Sequence, residues 1–205
     1  MKLILVRHGQ TRWNIEKRVQ GISDIELCNR GLAQAGNLAL ALSREKIEAI
    51  CSSPLKRALQ TARTINGFHR LPIEEDQNLI ELNQGDFEGL TFPEIIKNHG
   101  GFLTQWMADP ASVVMPNGES LEQLQKRTWT SVERILAHGK NTVIVSHSFA
   151  ISTILCKIQG IDLRFIRQLH VDLASRTAIQ FTGGKSRILF MNDIEYLKGC
   201  EKIED

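Results

Sequence analysis

Lys2-Leu3-Ile4-Leu5-Val6-Arg7-His8-Gly9-Gln10-Thr11 decides how the rest of this chain is read. One lysine and four apolar residues run straight into an arginine, a histidine and a glycine. A run this short, rich in branched side chains and ended by a polar loop, reads as a strand buried on both faces. Such strands belong to sheets covered by helices, and ligands in open α/β sheets bind beyond the carboxyl ends of the strands. Arg7 and His8 stand at that end.

The pattern recurs downstream. Residues 31–43 place Leu32, Ala35, Leu38, Ala39 and Leu42 at helical spacing, and residues 49–52 are a second short apolar run. Ser53-Pro54 then reads as a helix start, with Ser53 as N-cap and Pro54 at the first helical position, and the helix runs to about Ile65. Residues 71–75 read as extended. Residues 91–98 and 101–108 read as two short helices, and residues 118–137 as the longest, with Leu121, Leu124, Val132, Ile135 and Leu136 as its apolar stripe. Residues 141–145 form the clearest strand, and residues 149–158 the helix after it. Residues 178–181 and 187–191 pair as a hairpin across Gly183-Gly184. Alternating strands and helices predict an α/β fold, a three-layer sandwich with a mostly parallel central sheet flanked by helices. Residues 1–205 read as a single domain, and the polar tail from about Lys198 reads as disordered.

Composition narrows the function classes. Hydrophobic residues make up 42% of the 205 and charged residues 23%, as in an ordinary globular domain. A net charge of +2 gives no reason to expect a nucleic-acid or anionic-membrane partner. No apolar run approaches the roughly 20 residues of a membrane span, and the first apolar run is too short for a signal peptide, so a cytoplasmic protein is expected. Cys28, Cys51, Cys156 and Cys200 form no CxxC pair, and no HxH or HExxH pattern marks a zinc site, so no metal is expected. Nothing in the sequence decides between a monomer and a homodimer.

Three strand ends carry polar groups. The first delivers Arg7-His8-Gly9. The second leads to Ser52-Ser53-Pro54 and to Arg57 one turn into a helix. The strand over 141–145 ends in Ser146-His147-Ser148. Alone, either histidine reads sooner as a hydrogen-bonded structural residue than as a catalytic one. If these strands are neighbours, two histidines and two arginines converge on one pocket, and a phosphate between them explains the set. Arginine binds phosphate oxygens bidentately, and a neutral imidazole nitrogen attacks phosphorus. A backbone carbonyl on the other ring nitrogen would fix the tautomer. Glu81, after the apolar pair Leu79-Ile80, is the candidate proton donor to the leaving group, with Glu88 as a rival seven residues on. His69, His99, His138 and His170 lack such context and read as surface or loop residues.

At this point the chain resembles the histidine phosphatase superfamily, in its phosphoglycerate mutase-like branch. The resemblance rests on Leu5-Val6-Arg7-His8-Gly9-Gln10-Thr11, on Ser52-Ser53-Pro54-Leu55-Lys56-Arg57-Ala58 with Gln60-Thr61-Ala62, on Glu81-Leu82 with Gly85 and Glu88-Gly89, and on Val145-Ser146-His147. The motifs keep the family's order from residue 5 to about 150. The resemblance implies a phosphohistidine on His8, phosphoryl oxygens held by Arg7, Arg57 and His147, and Glu81 as proton donor and acceptor. It places Asn14 on the phosphate and Gln20-Gly21 at the substrate mouth, with no cofactor. It also implies a small helical cap over about residues 86–118. Ser148 departs from the glycine usual after the second histidine, and its hydroxyl can reach phosphate or substrate.

In that cap segment Lys97 is the only lysine or arginine, beside Asp86, Glu88, Glu94 and Asp109. A second phosphate would want bases there, so the resemblance favours a metal-independent phosphomonoesterase over a bisphosphoglycerate-dependent mutase. It implies a small-molecule ester with a neutral, zwitterionic or partly apolar body, with α-ribazole phosphate or broad specificity preferred. A binding module without turnover would be expected to lose His8 or Glu81, and both are present. Phe102, Trp106, Met107 and Met115 read equally as pocket lining and as core.

Overall fold

The structure, a computed structural model, describes residues 1–198. In chain order it contains β1 (Lys2–Arg7), α1 (Arg12–Ile15), α2 (Asn29–Leu42), β2 (Ala49–Ser52), α3 (Lys56–Asn66) and β3 (Ile73–Glu75). There follow α4 (Phe92–Ala108), α5 (Leu121–His138), β4 (Thr142–Ser146), α6 (Ser148–Gln159), β5 (Arg176–Thr182) and β6 (Lys185–Asp193). The strands form one sheet in the order β3-β2-β4-β1-β5-β6. The first four in that order are parallel, and β5 and β6 add antiparallel to the edge.

The period of two along the strands builds the three layers. Leu3, Leu5, Cys51 and Ile144 face one side and pack with Val132 and Ile135 of α5 and with Ile151, Ile154 and Leu155 of α6. Ile4, Val6, Ile50, Val143 and Val145 face the other side and pack with Leu38 and Leu42 of α2 and with Ala58, Ala62 and Ile65 of α3. The α/β sandwich expected from the sequence is the one observed.

Register matters most for function. Val6 lies opposite Val145, Arg7 opposite Ser146, and Ser52 opposite Val145. The carboxyl ends of β1, β4 and β2 are therefore level, on strands roughly 4.8 Å apart. His8, His147 and Ser53, each the residue just past its strand, start from one line.

Several boundaries differ from the sequence reading. The helix expected from Ser53-Pro54 begins at Lys56, with Leu55 at the N-cap and no side-chain cap bond. The Ser53 hydroxyl still accepts from Leu55 N at 3.3 Å, and it also sits 2.8 Å from Nε2 of His147. The two short helices expected over 91–108 are both present, meeting within α4 at a kink where His99 leaves helical geometry (φ −137°, ψ 33°). Gly183 and Gly184 make the expected hairpin turn, with φ of +57° and +76°. A two-residue turn of that twist requires positive φ at both positions, which glycine adopts without a Cβ penalty. The tail expected to be disordered lies outside the described residues from 199 onward. Among the described residues, no helix is long and apolar enough to cross a membrane.

Ile144 is fully buried in β4, between β1 and β2. Ile144→Ala is expected to cost about 2–5 kcal/mol, the usual range for such a truncation. Urea denaturation checks this as a lower midpoint with an unchanged m value.

Candidate active site

His8 is almost fully buried just beyond β1, and its Nδ1 lies 2.7 Å from the carbonyl oxygen of Gly9. A carbonyl only accepts, so Nδ1 carries the proton and Nε2 keeps the lone pair. Burial holds the His8 pKa well below the usual histidine range, and the charges of Arg57 and Arg7 push the same way. The ring is neutral at physiological pH.

His147 caps α6 in extended conformation (φ −131°, ψ 172°), and its ring lies 5.2 Å from that of His8, tilted by 59°. Arg57 donates from Nε to Nδ1 of His147 at 3.2 Å. A guanidinium cannot accept, so this bond fixes the opposite tautomer to that of His8, with the proton on Nε2. Burial, then Arg57, holds this histidine neutral too.

Arg57 lies in the first turn of α3 with none of its surface exposed. Its Nη1 donates to Ser23 O at 2.7 Å and its Nη2 to Gly21 O at 2.6 Å. Burial pulls its pKa down to about 10, which leaves it charged at neutral pH. Three of the roughly five guanidinium N–H groups are committed to the protein, and two remain for an anion.

The loop that supplies those carbonyls is itself held. Glu88 accepts from the backbone N–H of Ile22 at 2.6 Å and of Ser23 at 2.9 Å, and also from the Ser23 hydroxyl. Gly21 belongs to this clasp, because a Cβ there would meet Glu88 Oε1 at 2.1 Å and Leu82 O at 2.5 Å. The rival acid is thus occupied in holding the loop beneath Arg57.

Glu81 is buried at the start of α6. Its Oε1 accepts from Leu82 N at 2.9 Å and Ala150 N at 3.1 Å, and its Oε2 from Phe149 N at 3.2 Å. Burial raises its pKa above the ordinary carboxylate value, against the pull of those amides and of Arg57 and Arg7. The helix start that serves the site is therefore that of α6. At the start of α3 the Lys56 amide donates to Asp24 Oδ1 at 2.7 Å.

Arg7 donates from Nη1 to Val171 O at 2.6 Å, and its Nε is buried without a partner. Thr11 caps α1 in a reciprocal box with Asn14, whose Oδ1 accepts from Thr11 N at 3.0 Å, and the Thr11 hydroxyl lies 2.6 Å from Gln20 Oε1. Arg7, Asn14, Gln20, Glu81 and Ser148 line one cavity of about 540 Å³. His8, Arg57, His147 and Gly21 are not on its lining. They lie buried next to it, where Arg57 bonds both His147 and Gly21 and the His8 ring faces that of His147.

The opposite wall is apolar and comes largely from α4. Phe102, Trp106, Met107 and Met115 line the cavity with Phe87 and Phe149. Phe102 stacks on Trp106 at 6.5 Å, and Trp106 meets Phe149 edge-on at 5.8 Å. His99, half-buried at the kink in α4, packs its ring edge-on to Phe87 at 5.0 Å.

Two charged lining residues escaped the sequence reading, Arg18 and Arg167. Both side chains come from outside residues 86–118, one before that segment and one after it. Arg18 stands two residues before Gln20, and that proximity was the available signal. Arg167 belongs to a 3₁₀ turn over Leu163–Gln168 and had none.

A profile of the histidine phosphatase superfamily (branch 1) matches residues 3–194. The chain belongs to this superfamily. Phosphoserine phosphatase 1 of Hydrogenobacter thermophilus is 34% identical over 194 residues, covering 94% of this chain and 92% of that protein. The Bacillus subtilis protein described as uncharacterized phosphatase PhoE is 33% identical, covering 97% of each. Among solved structures, Bacillus stearothermophilus YhfR superposes with a TM-score of 0.90 at 29% identity, over 96% of this chain and 98% of that one. The α-ribazole phosphatase from Shigella flexneri superposes at 0.87 with 26% identity, over 94% and 96%. These relatives support phosphoric monoester hydrolysis as the class of chemistry for this enzyme.

The two neutral histidines predict an acid limb to stability. Below about pH 6.5 the unfolded chain protonates both rings while the native state does not. Stability is expected to fall by roughly 1.4 kcal/mol per pH unit for each histidine. The raised Glu81 works in the opposite sense, because the native state gains its proton first. Denaturation between about pH 7 and pH 5.5 checks the slope, which should be about half as steep in His147→Asn.

Proposed function

We propose that this protein is a metal-independent phosphomonoesterase acting on a small-molecule ester through a phosphohistidine on His8. The observation that carries the reading is the pair of opposed tautomers. His8 offers a lone pair on Nε2, and His147 offers a proton on Nε2, from rings 5.2 Å apart.

The phosphoryl group binds to the unpartnered Nε of Arg7, the two remaining N–H groups of Arg57, and Nε2–H of His147 released from Ser53. Asn14 and Ser148 complete the polar side. In the first step His8 Nε2 attacks phosphorus, the P–N bond forms and the ester P–O bond breaks. The departing alkoxide takes the proton of Glu81. In the second step the Glu81 carboxylate takes a proton from water as the water oxygen attacks phosphorus. The P–N bond breaks, its electron pair returns to Nε2, and inorganic phosphate leaves.

The surroundings of Glu81 suit both duties. Burial favours the protonated form needed first, and the amides of Leu82, Phe149 and Ala150 stabilise the carboxylate formed next. Arginine charge at the phosphate does what a bound cation does elsewhere. The aromatic wall favours a leaving group with an apolar face, placed where α4 covers the cavity. The relatives are named for chemically different esters, phosphoserine and α-ribazole phosphate among them.

Phosphate release from a panel of monoesters, with EDTA present, tests the reading. His8→Ala is expected to abolish turnover, and activity above a trace in that variant contradicts the mechanism. Glu81→Gln is expected to slow turnover by roughly 10²–10⁴-fold. A change under about threefold would move the proton transfer to another group.

A further inference from the structure

Arg167 is set apart from the other arginines near the cavity. Arg18 also lines it, but its Nε is paired with Glu16 at 2.7 Å and its Nη1 bonds Gly89 O at 2.7 Å. Arg164, on the same 3₁₀ turn as Arg167, faces Asp162 at 3.4 Å. Arg167 has no carboxylate within 4.0 Å among the described residues. Its one recorded bond runs from Nη1 to Met107 O, at 3.1 Å, in the last turn of α4.

That bond orients the guanidinium at little further cost when a ligand arrives. The turn beneath it is anchored, because Ile166 is 2% exposed and packs in the same apolar cluster as Phe102 and Trp106. Of the residues lining the cavity, Glu81 is the only one that can carry negative charge, and it is buried beside the phosphate-binding groups. An unpaired, oriented cation thus borders an aromatic wall, on a cavity whose polar end is matched to a phosphoryl group.

Resting on the phosphatase reading above, we propose that Arg167 binds a carboxylate carried by the leaving group, so that the preferred esters are phosphorylated acids with an apolar or small body. This refines the expectation drawn from the base-poor segment 86–118. The second anion is met by a residue from outside that segment. No bond is made or broken at Arg167, which selects the substrate and leaves the transfer to His8.

Matched pairs of substrates test this at two lengths. Phosphoserine and phosphoethanolamine differ by one carboxylate, as do carboxyphenyl and phenyl phosphate. The wild-type protein is expected to favour the carboxylated member of at least one pair by about tenfold or more in kcat/KM, as a charge-assisted bond implies. In Arg167→Met that ratio should collapse to below about threefold, mainly through KM, with Arg167→Lys between the two. Arg164→Gln should leave the ratio as it is. Ratios near one in the wild type for both pairs, or a preference that survives in Arg167→Met, would overturn the assignment. If Arg167 served only to cap α4, every substrate would lose activity alike and the ratio would hold. Absence of turnover on all four esters would count against the phosphatase reading itself.

Discussion

A guanidinium with no exposed surface sets the terms for the rest of this site. Arg57 must satisfy its donors inside the protein, since an unpaired buried charge costs several kcal/mol. It does so with two carbonyls of one loop and one ring nitrogen of His147. Each of those bonds has a consequence. The ring bond fixes the His147 tautomer, and the carbonyl bonds demand a loop held in place, which Glu88 supplies through its bonds to Ile22 and Ser23. Burial, and after it this charge, keeps His8 neutral. A line of contacts thus runs from Glu88, through the loop and Arg57, to both histidines.

The fold's part is alignment. Parallel pairing of β1 with β4 and of β4 with β2 levels three strand ends, and the residue after each end enters the site. The two helical layers then bring in the rest. Arg57 comes with α3 from one face, and the amides that hold Glu81 come with α6 from the other. The site sits where both layers meet the sheet edge-on, which is why it draws on residues more than 130 positions apart in sequence.

Much of this was legible in the sequence, because short apolar runs ending in Arg7-His8 and Ser146-His147 mark both the strands and the site. What was not legible depends on contacts between distant segments. Ser53-Pro54 carries the local signature of a helix cap, and nothing local shows that the Ser53 hydroxyl also meets His147, ninety-four positions away. Glu81 and Glu88 are both glutamates near glycines, and only the placement of the Gly21 loop shows one of them clasping it. His99 reads as a loop residue until Phe87 is seen against it. Arg167 has no local motif and reaches the cavity only because its turn packs under α4.

The central claim is covalent transfer through His8, and the stereochemical course at phosphorus tests it most directly. An ester made chiral at phosphorus with oxygen isotopes would be hydrolysed, and the configuration of the released phosphate determined. Two successive in-line transfers, first to His8 and then to water, predict overall retention. Inversion would mean that water attacks the ester in a single step, and would contradict the account.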